Sequence, residues 1–156
     1  MHPLEKMVNS SIAYVHIFLL ANKIQTTVDA GLGDITAKQW LMLVVLGVFE
    51  EPPNLKQLSE ACGITHQSAR QLLEKLVSKG YISVEKDGVD KRAIRIIPTA
   101  KYEAWHEKYE TRNRRFIQKL FTPLTEEEIE IFLKVQMTLQ ENITVIAKEH
   151  FDDFIV

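Results

Sequence analysis

A chain of 156 residues, 46% hydrophobic and 26% charged, suffices for one folded domain burying about 68–70% of its unfolded surface without a covalent staple. Its single cysteine, Cys62, excludes an intramolecular disulfide framework and suits a reducing compartment. A net charge of −2 argues against a uniformly nucleic-acid-binding surface, and the longest apolar run, Trp40 to Phe49, falls far short of the roughly 20 residues of a membrane span. With Glu5 and Lys6 ahead of the first apolar run and no small-residue cleavage site, a signal peptide is not expected and a cytoplasmic protein is.

The first predicted element is a long helix from Leu4 to Ala30, with Ile12, Val15, Leu19 and Leu20 on one side and Tyr14, Ile17, Phe18 and Ile24 spreading round the rest. That is more apolar surface than one partner covers. Gly31-Leu32-Gly33 breaks the helix. Thr36 and Gln39 form a capping box opening a buried helix, Ala37 to Phe49, whose Trp40, Leu41, Leu43, Val44 and Val45 leave little polar face. Pro52-Pro53 stops it.

A short helix follows, capped by Asn54 with Gln57 as capping-box partner, and Leu55, Leu58, Ala61 and Cys62 are expected on its inner face. Gly63 ends it. From Thr65 to Lys79 a second helix places Ala69, Leu72, Leu73, Leu76 and Val77 at i, i+3, i+4, i+7 and i+8, one apolar face of a 3.6-residue period. The opposite face must be wet: Thr65, His66, Gln67, Ser68, Arg70 and Gln71, then Lys75 and Lys79. Two helices joined by a glycine-centred turn of about three to four residues form a helix-turn-helix, whose second helix enters the major groove.

After Gly80, Ile82 and Val84 alternate with Ser83 and Glu85, and Ile94 and Ile96 with Arg95 and Ile97, the pattern of two half-buried strands. The polar tip between them, Lys86 to Arg92, turns on its Asp87-Gly88 step. A helix-turn-helix with a hairpin is a winged helix. Within 55–97 there are eight basic and five acidic residues, net +3, so the rest carries −5. A basic reader on an acidic scaffold can still dock on phosphates.

Thr99 caps a helix to about Phe121, in which Tyr102, Trp105, Tyr109, Arg112 and Phe116 recur at three and four. Thr122-Pro123 breaks it. Thr125 and Glu128 form the clearest capping box of the chain, with Leu124 and Ile129 placed as a staple. Ile129, Phe132, Leu133, Gln136, Leu139, Ile143 and Ile146 carry the last helix almost to His150. The fold class is therefore mainly α with a small β-hairpin wing. Residues 35–98 form the winged helix-turn-helix, and 4–30 and 99–150 form flanking helices too apolar for one chain to bury. Their expected cover is a second copy, which makes the protein a homodimer.

The order Leu58-Ser59-Glu60-Ala61-Cys62-Gly63-Ile64-Thr65, the run Leu72 to Ile82 with Lys79-Gly80-Tyr81-Ile82, and the wing Asp90-Lys91-Arg92-Ala93 followed by Ile96 and Thr99 resemble the MarR-type transcriptional regulators. The chain departs from that pattern at Pro98 (usually Leu), Tyr102 (usually Gly) and Val84 (usually basic). The resemblance implies a dimer formed through the first and last helices, with two recognition helices on half-sites roughly 34–36 Å apart. It also implies small aromatic or lipophilic effectors, bound where the dimer helices meet the reader. Tyr14, His16, Phe18, Trp40 and Trp105 are the residues expected there, although large side chains at helical spacing are more often core.

On the wet face Thr65 is expected to cap the helix and meet phosphate, while Gln67, Ser68, Arg70 and Gln71 are candidates for base edges, since Gln suits adenine and Arg guanine, and His66 is counted among the DNA-binding residues. Lys75 and Lys86 would meet phosphates. In the wing, Asp90 is expected to orient Arg92, beside Lys91, toward the minor groove. Cys62, on the inner face of its helix, reads as a buried, inert thiol rather than a redox sensor. Glu103, His106, Glu107 and Glu110 have metal-ligand spacing, but Lys101, Lys108 and Arg112 interleave them as an ion-pair face, so no metal and no cofactor are expected. No Ser/His/Asp order, phosphate-binding Gly-rich loop or paired carboxylate suggests an enzyme. The rival reading is a dimeric winged-helix adaptor for a protein partner, against which Arg70, Lys91 and Arg92 weigh.

Overall fold

The computed structural model describes residues 8–86 and 94–149. Its elements are α1 (Asn9–Asp29), α2 (Ala37–Leu46), α3 (Leu55–Ala61), α4 (His66–Ser78), β1 (Ile82–Lys86), β2 (Ile94–Pro98), α5 (Ala100–Phe121) and α6 (Glu126–Ile146). The chain divides into two compact units at His106.

The first unit holds the core. Met42, Leu43, Leu58, Ala69, Leu76 and Ile96 are at most 1% exposed and come from α2, α3, α4 and β2, with Leu73, Tyr81, Ile82, Tyr102 and Trp105 closing around them. Each fully buried aliphatic side chain contributes about 1.5–3 kcal/mol of transfer free energy, so this cluster sets where the reader's elements sit. Local chemistry fixes the helix ends. The capping boxes Thr36/Gln39 and Asn54/Gln57 are both closed, with Gln57 N donating to Asn54 Oδ1 at 2.9 Å and Asn54 N to Gln57 Oε1 at 2.9 Å. Gly63 (φ 64°) and Gly80 (φ 76°) end α3 and α4 in the left-handed region that side chains avoid. Ile64 N then donates to Ser59 O and Tyr81 N to Leu76 O, the six-to-one bond of a Schellman cap.

β1 and β2 pair antiparallel with Ile82 opposite Pro98 and Val84 opposite Ile96. Ile96 N also donates to Pro53 O at 2.9 Å, which ties the hairpin to the loop before α3.

Several finer expectations are corrected. α2 stops at Leu46 rather than Phe49, because Gly47 takes the cap position, and it is only half buried: Leu41 and Val44 are 43% and 36% exposed, while Gln39 is inside. In α3 the inner face is Leu55, Leu58 and Ser59, the i, i+3, i+4 set, with Ala61 exposed. Ser59 tolerates burial because its hydroxyl donates to Lys56 O. On α4, Val77 is 40% exposed. In β1 only Ile82 is buried, and Val84, Glu85 and Lys86 are exposed among the described residues.

In the second unit Thr125 and Glu128 close the expected capping box, Thr125 N donating to Glu128 Oε2 at 2.8 Å and Glu128 N to Thr125 Oγ1 at 3.2 Å. α6 buries no residue, and Ile131, Phe132, Leu133, Val135, Met137, Leu139, Ile143, Val145 and Ile146 all stand at least 36% exposed. α1, in the first unit, likewise buries nothing and exposes Tyr14, Ile17, Phe18, Leu19 and Leu20.

Candidate nucleic-acid interface

Helix α4 is held from behind. Ala69, Leu73 and Leu76 are buried, so the remaining 3.6-residue rows must face outward, and His66, Gln67, Ser68, Arg70, Gln71, Glu74 and Lys75 are all exposed. Thr65 is the N-cap, its Oγ1 accepting from Ser68 N at 3.2 Å and donating to Ser68 Oγ at 2.9 Å. That leaves Gln67, Arg70 and Gln71 as long side chains over the helix's first turns, the end a recognition helix presents to base edges.

Arg70 Nε donates to Glu74 Oε1 at 3.2 Å, with both side chains about two-thirds exposed. An exposed pair of this kind stabilises by about 0–1 kcal/mol, whereas a bidentate arginine–guanine contact is worth about 1–3 kcal/mol. The pair therefore orients Arg70 without withholding it from a base. Lys86, the last residue of β1, is exposed at the outer end of the strand. Asp90, Lys91 and Arg92 lie outside the described residues, and with them the expected Asp90–Arg92 contact.

Lys79, expected on the wet face for its charge, is half-buried instead, seven residues and so nearly two whole turns after the half-buried Leu72. Its Nζ donates to Asp34 O and, at 2.9 Å, to Gln39 Oε1. It is one arm of a polar latch. Tyr81 Oη donates to Asp34 Oδ1 at 2.7 Å, Lys101 Nζ lies 3.4 Å from Asp34 Oδ2, donates to Lys79 O at 2.8 Å and sits 4.2 Å over the Tyr81 ring. The loop before α2, the cap of α4, the residue before β1 and the first turn of α5 thus meet at Asp34, Lys79 at its main-chain carbonyl and Tyr81 and Lys101 at its carboxylate. No local pattern announces Asp34, because its partners lie 45, 47 and 67 residues away.

The Tyr81 hydrogen bond, then the Lys101 hydrogen bond and charge, hold Asp34 below the ordinary aspartate value of 3.8 against a desolvation effect that raises it. A carboxyl with a lowered folded pKa contributes stability that is present above its unfolded pKa and is lost as pH falls through the folded one. The carboxylate is more than half exposed, so the contribution is on the order of 0–1 kcal/mol. Asp34→Asn is expected to melt slightly below wild type at neutral pH and level with it at pH well below 3.8. A melting-temperature gap that stays constant with pH would contradict this reading.

The residues expected around an effector differ in exposure. Tyr14 and Phe18 stack edge to face at 5.2 Å on the exposed side of α1, and His16 is exposed beside them. Trp40 is half-buried, and Trp105 is core, 6.1 Å from Tyr81 and 6.2 Å from Tyr102. Cys62 is half-buried and lines a cavity of about 390 Å³ with Leu41, Met42, Ile64 and Leu72. Burial pushes its thiol up, away from the reactive thiolate. Among the described residues no group of three or more His, Cys, Asp or Glu side chains could hold a metal, and no helix is long and apolar enough to cross a membrane.

The sequence profile of the MarR family matches residues 33–93, from the turn before α2 into the wing. A MarR/EmrR family transcriptional regulator from Acinetobacter sp. ADP1 superposes with a TM-score of 0.79 at 20% identity, over 88% of this chain and 99% of its own. The MarR protein from Peptoclostridium difficile does so at 0.80 and 23% identity, over 92% and 94%. BpsR of Bordetella bronchiseptica, described as regulated in DNA binding by 6-hydroxynicotinic acid, gives 0.69 and 18%, over 82% and 98%. Residues 33–93 thus match the MarR family model, and the fold of nearly nine-tenths of the chain is similar to that of a MarR/EmrR-type winged helix.

Proposed function

We propose that the protein is a sequence-specific, double-stranded-DNA-binding transcriptional repressor. It acts as a homodimer that reads a pseudo-palindromic operator through α4 and the wing, and a small aromatic or lipophilic effector releases it. The observation that carries this reading is α4, buried on one side by Ala69, Leu73 and Leu76 and presenting an unbroken exposed row of hydrogen-bonding side chains on the other. The net +3 of the reader against −5 elsewhere supports docking on phosphates through that side. Effector release is supported by the description of BpsR and by the aromatic side chains of α1, Tyr14 and Phe18, which a second copy would help enclose.

The test is a gel shift against random duplex at low and moderate salt, repeated with heparin, followed by selection of bound genomic fragments. Retention of a discrete set of fragments is expected. No shift at low salt would favour the adaptor reading, in which the same face meets a protein. The wing makes a second expectation measurable. Arg92→Ala should weaken operator binding and lower the slope of log K against log salt by about 0.9 for each phosphate that the wing then leaves unneutralised in each subunit. Identical salt titrations for the variant and wild type would remove Arg92 from the interface.

A further inference from the structure

At the start of α5 a cavity of about 330 Å³ opens between the end of α2, the loop that leads to α3 and the end of β2, all within the first unit. Its wall is apolar: Leu46, Pro53 and Ile96 are buried behind it, and Phe49, Pro52 and Pro98 are half-buried. Tyr102 closes one side. It is only 4% exposed, and its hydroxyl makes no hydrogen bond among the described residues, although its backbone N–H donates to Thr99 Oγ1. The hydroxyl lies against Gly47, where a Cβ would stand 2.5 Å from the oxygen, so the glycine leaves it room at the cavity wall. A hydroxyl that gives up its hydrogen bonds to water and regains none within the chain is an exception among nearly buried polar groups. Pro98 and Tyr102 also stand where the MarR-type pattern has Leu and Gly, so this wall is not one that the pattern builds.

Two carboxylates share the cavity with that hydroxyl. Glu50, in the loop after α2, and Glu103, in the first turn of α5, both line it, and among the described residues no lysine or arginine does. Lys101 is held away from it, at Asp34 and Lys79 O. We propose that this cavity binds a small primary amine with an apolar tail, the ammonium held by Glu50, Glu103 and Tyr102 Oη and the tail lying on the apolar wall. An ammonium brings three N–H donors and no acceptor, which matches two carboxylates and a phenol oxygen. Burial, then the Glu103 charge, push the Tyr102 phenol up, so the hydroxyl stays neutral beside a cation. Its ring, with the His106 ring 5.7 Å away, offers the cation an aromatic face as well. An anion would be opposed by both carboxylates. A metal ion would find no group of three or more His, Cys, Asp or Glu among the described residues. The site does not rest on the DNA-binding reading, since none of its residues belongs to α4.

The probe is phenethylamine, titrated calorimetrically into full-length protein without DNA, with phenethyl alcohol as its uncharged counterpart. Saturable binding of the amine is expected, and binding of the alcohol weaker by about tenfold, because it keeps the tail and loses the charge. Glu103→Gln removes a charge and Tyr102→Phe a hydrogen-bonding oxygen, and each should weaken the amine by about tenfold while leaving the shape of the wall. Glu60→Gln neutralises an exposed acid on α3 that does not line the cavity, and it should leave binding unchanged. That variant separates a site from the general attraction of a cation to a chain of net charge −2. Melting temperatures of all three variants report folding. If Tyr102→Phe melts early, the exposed Glu103 and the alcohol still decide. No binding at millimolar amine, binding indifferent to Glu103→Gln, or equal weakening by Glu60→Gln overturns the site. Equal binding of amine and alcohol overturns the cation as its ligand.

Discussion

A full-length protein carrying Leu139→Glu and Ile143→Glu should sediment as a monomer at micromolar concentration and lose at least about 100-fold in affinity for a two-half-site operator. Both side chains are on α6, 45% and 59% exposed, and α6 as a whole buries nothing within its own chain. Placing charge at such sites changes the stability of a lone chain by about 0.5 kcal/mol or less. In a dimer that covers α6, the same carboxylates would each lose solvation without a partner, at several kcal/mol per ion. The fold cost is small and the assembly cost large, which lets one variant separate them. DNA binding should fall with the dimer, because linking two readers supplies about 10²–10⁴ in avidity that a monomer lacks. Circular dichroism should remain helical throughout. Wild-type protein that is itself monomeric at micromolar concentration, or a double variant that stays dimeric, would show that α6 is not the covered face.

The parts of the fold legible in sequence were those decided within a few residues. The boxes at Thr36, Asn54 and Thr125 and the caps at Thr65, Gly63 and Gly80 all depend on neighbours within five positions, so periodicity and cap chemistry locate them. Side chains whose fate is set at a distance were not legible. Lys79 has the charge of a wet-face residue, yet Asp34 and Gln39, some 40 residues upstream, draw its ammonium inward. Ser59 reads as surface and Ala61 as core until the two turns of α3 are laid on α4. Val77 and Val84 keep apolar identity without cover because period states which side a residue is on, not whether anything reaches it. The surplus apolar surface of α1 and α6 was readable; the second copy proposed to cover it is a property of two chains. For the reading face, sequence and structure agree that His66, Gln67, Ser68, Arg70, Gln71 and Lys75 are exposed, not on Lys79 or Val77, and the wing residues 87–93 remain an expectation from sequence.

Arg70→Ala and Gln71→Ala should each lose about 1–3 kcal/mol of discrimination, roughly 5- to 150-fold, at one operator position per half-site while leaving affinity for random duplex nearly unchanged. Lys75→Ala should do the opposite, weakening operator and random duplex alike. The division follows from position and chemistry. Arg70 and Gln71 follow the Thr65 cap by less than two turns, where a recognition helix runs closest to the base edges, and a guanidinium and a carboxamide can each make paired hydrogen bonds to a single base. Lys75 lies in the last turn and carries a point charge, which suits a phosphate of any sequence. Glu74 adds a control. It holds Arg70 Nε at 3.2 Å, and removing an acid beside DNA favours binding by simple electrostatics. Glu74→Ala should therefore tighten binding to random duplex, yet tighten operator binding less, because Arg70 then loses the partner that restricts its rotamers before it meets a base. The measurement is a matched pair of titrations, operator and scrambled duplex at the same salt, for each variant. Equal losses on both duplexes for Arg70→Ala and Gln71→Ala would make them phosphate-binding residues, and the sequence readout would have to come from Gln67, Ser68 or the wing.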